Sequence, residues 1–235
     1  MRGLFRGSSH IPRANDPDVS TDGLNEPLGP LCDLVAFYIS FMAFWTVAVL
    51  AAWKFGLLPE PAWRWFRTAV WIGAVALWMV WQHPPEPVSW LALLPIRPPQ
   101  VRLSGLVFGI IVGWNFVRVN FLSLPLHQLD HIATFTPGFF VWSLIGVFIE
   151  ELLFRGVVQT RLTADLAPWL AILVTTVLFF AIHIPGWIIL SATVGASAIA
   201  TVVLVGLICG VLRYRTGSLW PGVSAHWANN LGAML

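Results

Sequence analysis

The chain has 235 residues, of which 57% are hydrophobic and only 10% are charged. A soluble domain of this length carries roughly a quarter charged residues, so the composition indicates a polytopic membrane protein with one membrane domain. The net charge of +2 is too small to favour a nucleic-acid partner. Cys32 and Cys209 lie far apart in the sequence and predict neither a disulfide nor a thiolate metal site.

Residues 1–33 mix Arg, Asp, Pro and Gly without an apolar run, so we expect a cytoplasmic tail rather than a cleavable signal peptide. The long apolar runs that follow predict an all-α bundle of about seven transmembrane helices, or six to eight given a Pro-rich loop over 83–102. A loop holding Arg64 and Arg67 separates the first two spans. The predicted spans cover 34–53, 68–82, 103–117, 138–160, 168–183, 188–212 and 219–235.

The distribution of basic residues predicts the orientation of these spans. The N-terminal side receives Arg2, Arg6, Arg13, Arg97, Arg102, Arg161, Arg213 and Arg215, whereas the other side receives Lys54, Arg64, Arg67 and Arg118. Because basic residues are enriched in cytoplasmic loops, we expect the N-terminus in the cytoplasm. The expected location is integral to a bacterial inner membrane, with the lipid bilayer as a partner.

Two adjacent acids and an arginine lie within the fourth predicted span. Glu151 and Arg155 are four residues apart on a helix, so we expect them to share a face and form an ion pair. Glu150 lies about 100° round the helix from Glu151, and no basic side chain stands one turn away from it. An ionisable group at membrane depth is costly, which marks Glu150 as a candidate functional residue.

Two later spans also contain polar residues. His183 ends the fifth span, and His226 and Asn230 stand four residues apart on one face of the last span. A lone His or Asn in a transmembrane helix is often a hydrogen-bonding strut between helices, and an ion pair can be purely structural. Polar residues on three apolar helices, each costly unless partnered, instead favour one shared site.

The three patterns together resemble the CAAX protease and bacteriocin-processing (CPBP) family, which includes the type II CAAX prenyl endopeptidases. They are E-E-x-x-x-R at Glu150, Glu151 and Arg155, F-x-x-x-H at Phe179 and His183, and H-x-x-x-N at His226 and Asn230. The resemblance implies an intramembrane endopeptidase with its active site between the C-terminal helices. The catalytic membrane domain would span 137–235, after the tail at 1–33 and the N-terminal helices and loops at 34–136.

The resemblance also implies roles for these residues. Glu150 and His183 would activate a water, His226 and Asn230 would stabilise the oxyanion, and the Glu151–Arg155 pair would support them. Peptide hydrolysis needs such a base and such donors, and no Ser or Cys has a base at motif spacing. No cofactor is certain. Zn²⁺ held by Glu150, His183 and His226 is the alternative, because two His and one Glu are a common zinc ligand set.

Other functions are compatible with the same polar residues. The expected substrate is a peptide or a membrane protein, and the sequence does not indicate the oligomeric state. The alternative to hydrolysis is a non-catalytic immunity or peptide-binding protein that uses the same pocket. A transporter or proton relay would be expected to show discontinuous helices in paired halves, and the two halves of this sequence do not correspond.

Overall fold

The computed structural model describes residues 30–57, 60–81, 97–118, 137–189 and 196–233. These residues form nine α-helices and no strand. The helices are α1 (Pro30–Val49), α2 (Glu60–Trp81), α3 (Pro98–Val117), α4 (Pro137–Glu151), α5 (Gln159–Asp165), α6 (Pro168–Ala181), α7 (Ile184–Ile189), α8 (Ala196–Thr216) and α9 (Trp220–Ala233). A π-helix, Leu50–Lys54, extends α1, and a second, Leu152–Val158, joins α4 to α5.

The all-α membrane class predicted from the sequence is confirmed. All seven predicted spans contain helix, and four helices in the described ranges are long and apolar enough to cross a membrane. These are Leu31–Ala52, Pro98–Val117, Pro168–Ile188 and Ala198–Thr216. The predicted tail, most of the Pro-rich loop and the segment 119–136 lie outside the described residues. The chain is therefore an integral membrane protein.

Several helix boundaries differ from the predicted ones because of proline. The predicted loop before the second span is wrong, since α2 already begins at Glu60 and places Arg67 in its second turn. The third span likewise begins at Pro98 and not at residue 103. Proline in the first turn of a helix loses no hydrogen bond, because the N–H groups there have no intrahelical partner. A run of prolines can therefore open a helix as well as prevent one.

Close contacts between small residues hold the C-terminal helices together. A Cβ atom on Gly206 of α8 would lie only 2.7 Å from Cγ2 of Thr176 on α6. Helix α9 packs along α3, where a side chain at Gly232 would overlap Asn115. Small residues let transmembrane helices approach closely. Two of the helices that carry predicted site residues, α6 and α9, are thus each fixed by close packing against a neighbouring helix, α8 and α3 respectively.

The helix that carries the paired acids changes geometry immediately after them. Residues Leu152–Val158 form a π-helix, in which the N–H of Gln159 donates to the carbonyl of Phe154, five residues earlier. Such insertions are rare and often occur at functional sites. Here the π-helix places Arg155 among buried residues, where it can reach α6 and α8.

Candidate active site

The centre of the buried polar cluster is Glu151. Its Oε1 atom accepts a hydrogen bond from Nη1 of Arg155 at 3.0 Å and lies 2.9 Å from Nδ1 of His226. Glu151 and Arg155 are almost completely buried, so the pair has no solvent to stabilise either charge separately. The structure thus contains the Glu151–Arg155 ion pair expected from the i, i+4 spacing. It also shows His226 as a second partner of Glu151, which the spacing did not predict.

Arg155 connects three helices. Its Nη2 donates to the carbonyl of Gly206 on α8 at 2.9 Å. Its guanidinium carbon lies 4.6 Å from the centre of the Phe179 ring on α6, an arrangement that stabilises a cation. The charge of Glu151 is therefore balanced by a cation that is itself held by two other helices.

His226 lies between the two adjacent acids. While Nδ1 faces Glu151, Nε2 lies 3.8 Å from Oε2 of Glu150. An ionised carboxylate can only accept a hydrogen bond, so the contact with Glu151 assigns the proton to Nδ1. The Nε2 atom is thereby presented to Glu150, whose side chain is 20% exposed.

His183 is positioned by the residue one turn before it. Its Nδ1 lies 2.8 Å from the carbonyl oxygen of Phe179, so Nδ1–H donates there and Nε2 is left for another partner. The Phe179 ring packs edge-on against both imidazoles, with centroid distances of 5.0 Å to His183 and 5.5 Å to His226. One buried aromatic ring therefore sets the relative position of both histidines.

Two side chains of α1 also reach the end of α6 that precedes His183. The hydroxyl of Tyr38 donates to the carbonyl of Leu178 at 2.6 Å. The indole N–H of Trp45 donates to the carbonyl of Ile182 at 3.2 Å. These bonds link α1 to carbonyls on both sides of the end of α6 and so help to fix the turn at His183. The sequence patterns gave no sign of this contact.

Asn230 follows His226 by one turn on α9 and is partly buried. Its amide forms no hydrogen bond with another residue of the described segments. The cluster therefore contains Glu150, Glu151, Arg155, His183 and His226. Asn230 adjoins it through the helix that it shares with His226.

A small cavity opens beside Glu150 on the side of α2. It is lined by Arg67, Thr68, Trp71, Gly146, Ile149 and Glu150. A Cβ atom on Gly146 would lie 3.1 Å from Nη2 of Arg67, so the guanidinium occupies the space that the missing side chain leaves. Sequence reasoning missed Arg67 because it assigned that residue to a loop.

Across the described ranges, no group of three or more His, Cys, Asp or Glu side chains is placed to hold a metal ion. Nδ1 of His226 is hydrogen-bonded to Glu151, and Nδ1 of His183 to a backbone carbonyl. These bonds leave both Nε2 atoms available, an arrangement that zinc-binding imidazoles commonly show.

The match to a known family covers this part of the chain. A family model described as type II CAAX prenyl endopeptidase Rce1-like matches residues 132–232. No curated protein and no solved structure gives a significant match. The matched range contains both acids, Arg155, both histidines and Asn230. Residues 132–232 are therefore similar to the Rce1-like type II CAAX prenyl endopeptidase family.

Proposed function

We propose that the chain is an intramembrane endopeptidase that hydrolyses a peptide bond of a membrane-associated substrate with a water activated by Glu150 and His183. The observation that carries the proposal is the position of His226 between two carboxylates, one buried and one facing a cavity. If His226 were only a structural hydrogen-bonding link between helices, it would need one partner. The partly exposed acid at the cavity is free for a second role.

In the proposed reaction, the Glu150 carboxylate accepts a proton from water as the oxygen attacks the substrate carbonyl. Nε2 of His183, left free by the bond of Nδ1 to Phe179, accepts a hydrogen bond from the same water. Glu150 then passes the proton to the leaving amine. General acid–base catalysis of this kind contributes roughly 10²–10⁴-fold to a rate.

The oxyanion of the tetrahedral intermediate would be stabilised from α9. In its imidazolium form, His226 keeps Nδ1–H on Glu151 and donates from Nε2 to the oxyanion. The Asn230 amide supplies a second donor. Preorganised donors are effective because they need not reorient as charge develops. Glu151 and Arg155 act through His226 and do not touch the substrate.

We further propose that the mechanism depends on glutamate and not on a metal. Supporting this, no group of three or more His, Cys, Asp or Glu side chains in the described ranges is placed to hold a metal ion, and the amide of Asn230 is an uncommon zinc ligand. The N-terminus is proposed to lie in the cytoplasm, with residues 137–235 as the catalytic domain and 34–136 as a supporting set of helices.

The test is a cleavage assay with membrane fractions that contain the wild type or Glu150→Gln. Membrane-anchored peptides serve as probes, some with a farnesylated C-a-a-X end and some with a transmembrane anchor alone. We expect cleavage by the wild type and none by the variant. Peptide binding without cleavage by either protein would instead favour the non-catalytic immunity or peptide-binding function.

A further inference from the structure

Hydrogen bonds bring the ends of several helices together at one end of the bundle. Nε2 of Gln100, in the first turn of α3, donates to the carbonyl of Thr216, the last residue of α8, at 3.1 Å. Nη2 of Arg213 on α8 donates to Oγ1 of Thr160 on α5 at 3.4 Å. Because α6 begins at Pro168, directly after α5, the ends of three membrane-length helices meet here.

This end of the bundle carries an excess of positive charge among the described residues. Asp165 pairs with Arg161 at 3.5 Å. Asp33 lies in the first turn of α1, which runs parallel to α6, as the bonds from Tyr38 and Trp45 show. Against these two acids stand five arginines on α3, α5 and α8, which together we call the basic surface: Arg97, Arg102, Arg161, Arg213 and Arg215.

The guanidinium groups of the basic surface have many unused donors. Each guanidinium carries five N–H groups. The Nε atoms of Arg161 and Arg213 have no hydrogen-bond partner among the described residues, and the bond from Arg213 to Thr160 is long. Arg97, Arg102 and Arg215 are exposed. A ligand with negative charge and several oxygen atoms would therefore find donors on three helices.

Exposed aromatic side chains place the basic surface at the boundary between lipid and water. Trp169, in the first turn of α6, is 64% exposed, and Tyr214, between two of the arginines, is 53% exposed. Trp and Tyr are enriched at the level of the lipid headgroups. The anion that is concentrated at this level is the phosphate of a lipid, and guanidinium groups bind phosphate through paired hydrogen bonds.

We propose that the basic surface binds the headgroup of an anionic phospholipid at the junction of α3, α5 and α8. The proposal does not depend on the endopeptidase function. It bears on the active site, because the helix contact that the lipid would hold continues towards Glu151. Arg155 donates to the carbonyl of Gly206 on α8, and Gln159 donates to the carbonyl of Gly210, each at 2.9 Å.

The experiment measures lipid binding by the purified full chain in a neutral detergent. Phosphatidylglycerol or phosphatidylcholine is added, native mass spectrometry counts the lipids retained, and thermal unfolding is followed in parallel. The test variant is Arg102→Gln with Arg215→Gln, which removes two exposed guanidinium groups. The control is Lys54→Gln with Arg118→Gln, which removes the same charge from the ends of α1 and α3 at the opposite side of the bundle.

The wild type is expected to retain phosphatidylglycerol in preference to phosphatidylcholine and to unfold at a higher temperature when it is bound. A basic residue near the membrane surface strengthens the binding of anionic lipid by about fivefold. The test variant should therefore bind phosphatidylglycerol about 20- to 30-fold more weakly, whereas the control should bind it as the wild type does. High salt should weaken binding by the wild type, because it screens exposed charges.

Three results would overturn the proposal. Equal retention of the two lipids by the wild type would do so without any variant. Equal losses in the test variant and the control would mean that net charge, and not this surface, attracts the lipid. Displacement of phosphatidylglycerol by inorganic phosphate, beyond the effect of chloride at equal ionic strength, would assign the surface to a soluble anion. None of these results affects the proposed endopeptidase function, which is tested by cleavage.

Discussion

Nδ1 of His226 and Oε1 of Glu151 lie 2.9 Å apart across the interface between α9 and α4. The acceptor oxygen is the same one that binds Arg155. A single buried carboxylate thus balances a cation on its own helix and orients an imidazole on another. Glu150, the base proposed for the reaction, is therefore not needed to balance the charge of Arg155 or to orient the imidazole of His226.

Removal of the Glu151 charge should affect stability and activity together. Glu151→Gln leaves Arg155 buried without its counter-ion, and breaking such a pair costs roughly 3–5 kcal/mol. The double variant Glu151→Gln, Arg155→Met should recover much of the stability but not the activity, because His226 still lacks the carboxylate charge that stabilises its imidazolium form. Thermal unfolding and peptide cleavage measure the two effects. Recovery of both in the double variant would mean that Glu151 serves only Arg155.

The contacts from α1 should matter for the reaction at His183. Trp45→Phe removes the hydrogen bond to the Ile182 carbonyl and loosens the turn that holds the imidazole. We expect kcat to fall by about tenfold with little change in KM, since small displacements of a catalytic group are costly. Trp169→Phe, an exposed position at the other end of α6, is the control. Equal effects of the two substitutions would contradict a positioning role.

The close packing of α8 against α6 can be tested with one methyl group. In Gly206→Ala the new Cβ would lie 2.7 Å from Thr176 Cγ2, so either the Thr176 side chain or the two helices must shift. Overpacking of this kind costs about 1–3 kcal/mol, to be measured by unfolding in detergent. Gly105→Ala on α3 places its Cβ in open space and should not destabilise the protein. A similar loss in both variants would show that the cost is not steric.

Removal of metal ions should leave the activity unchanged. Incubation with EDTA or 1,10-phenanthroline is expected to preserve cleavage, because no group of three or more His, Cys, Asp or Glu side chains in the described ranges is placed to hold a metal ion. Elemental analysis of the purified protein provides an independent measurement. Stoichiometric zinc, together with loss of activity on chelation and its recovery on zinc addition, would establish the metal-dependent alternative.

The sequence predicted the membrane class and the Glu151–Arg155 pair, because each depends on local composition or on spacing within one helix, and its three motifs indicated the family that residues 132–232 resemble. It could not predict contacts that depend on how helices pack. The bond between Glu151 and His226 joins residues 75 positions apart, so no spacing within one helix could indicate it. Arg67 was missed for a local reason, since the prolines near the start of α2 were read as part of a loop that extended to Arg67, whereas α2 begins at Glu60.

The most direct test of the account is the single-turnover rate of peptide cleavage by purified Glu150→Gln, with peptide affinity measured on the same protein. Asp165→Asn, which neutralises an exposed acid on α5, is the control. We predict that Glu150→Gln binds peptide with nearly unchanged affinity but cleaves it at least about 100-fold more slowly than the wild type. Cleavage at the wild-type rate would contradict the assignment of Glu150 as the base.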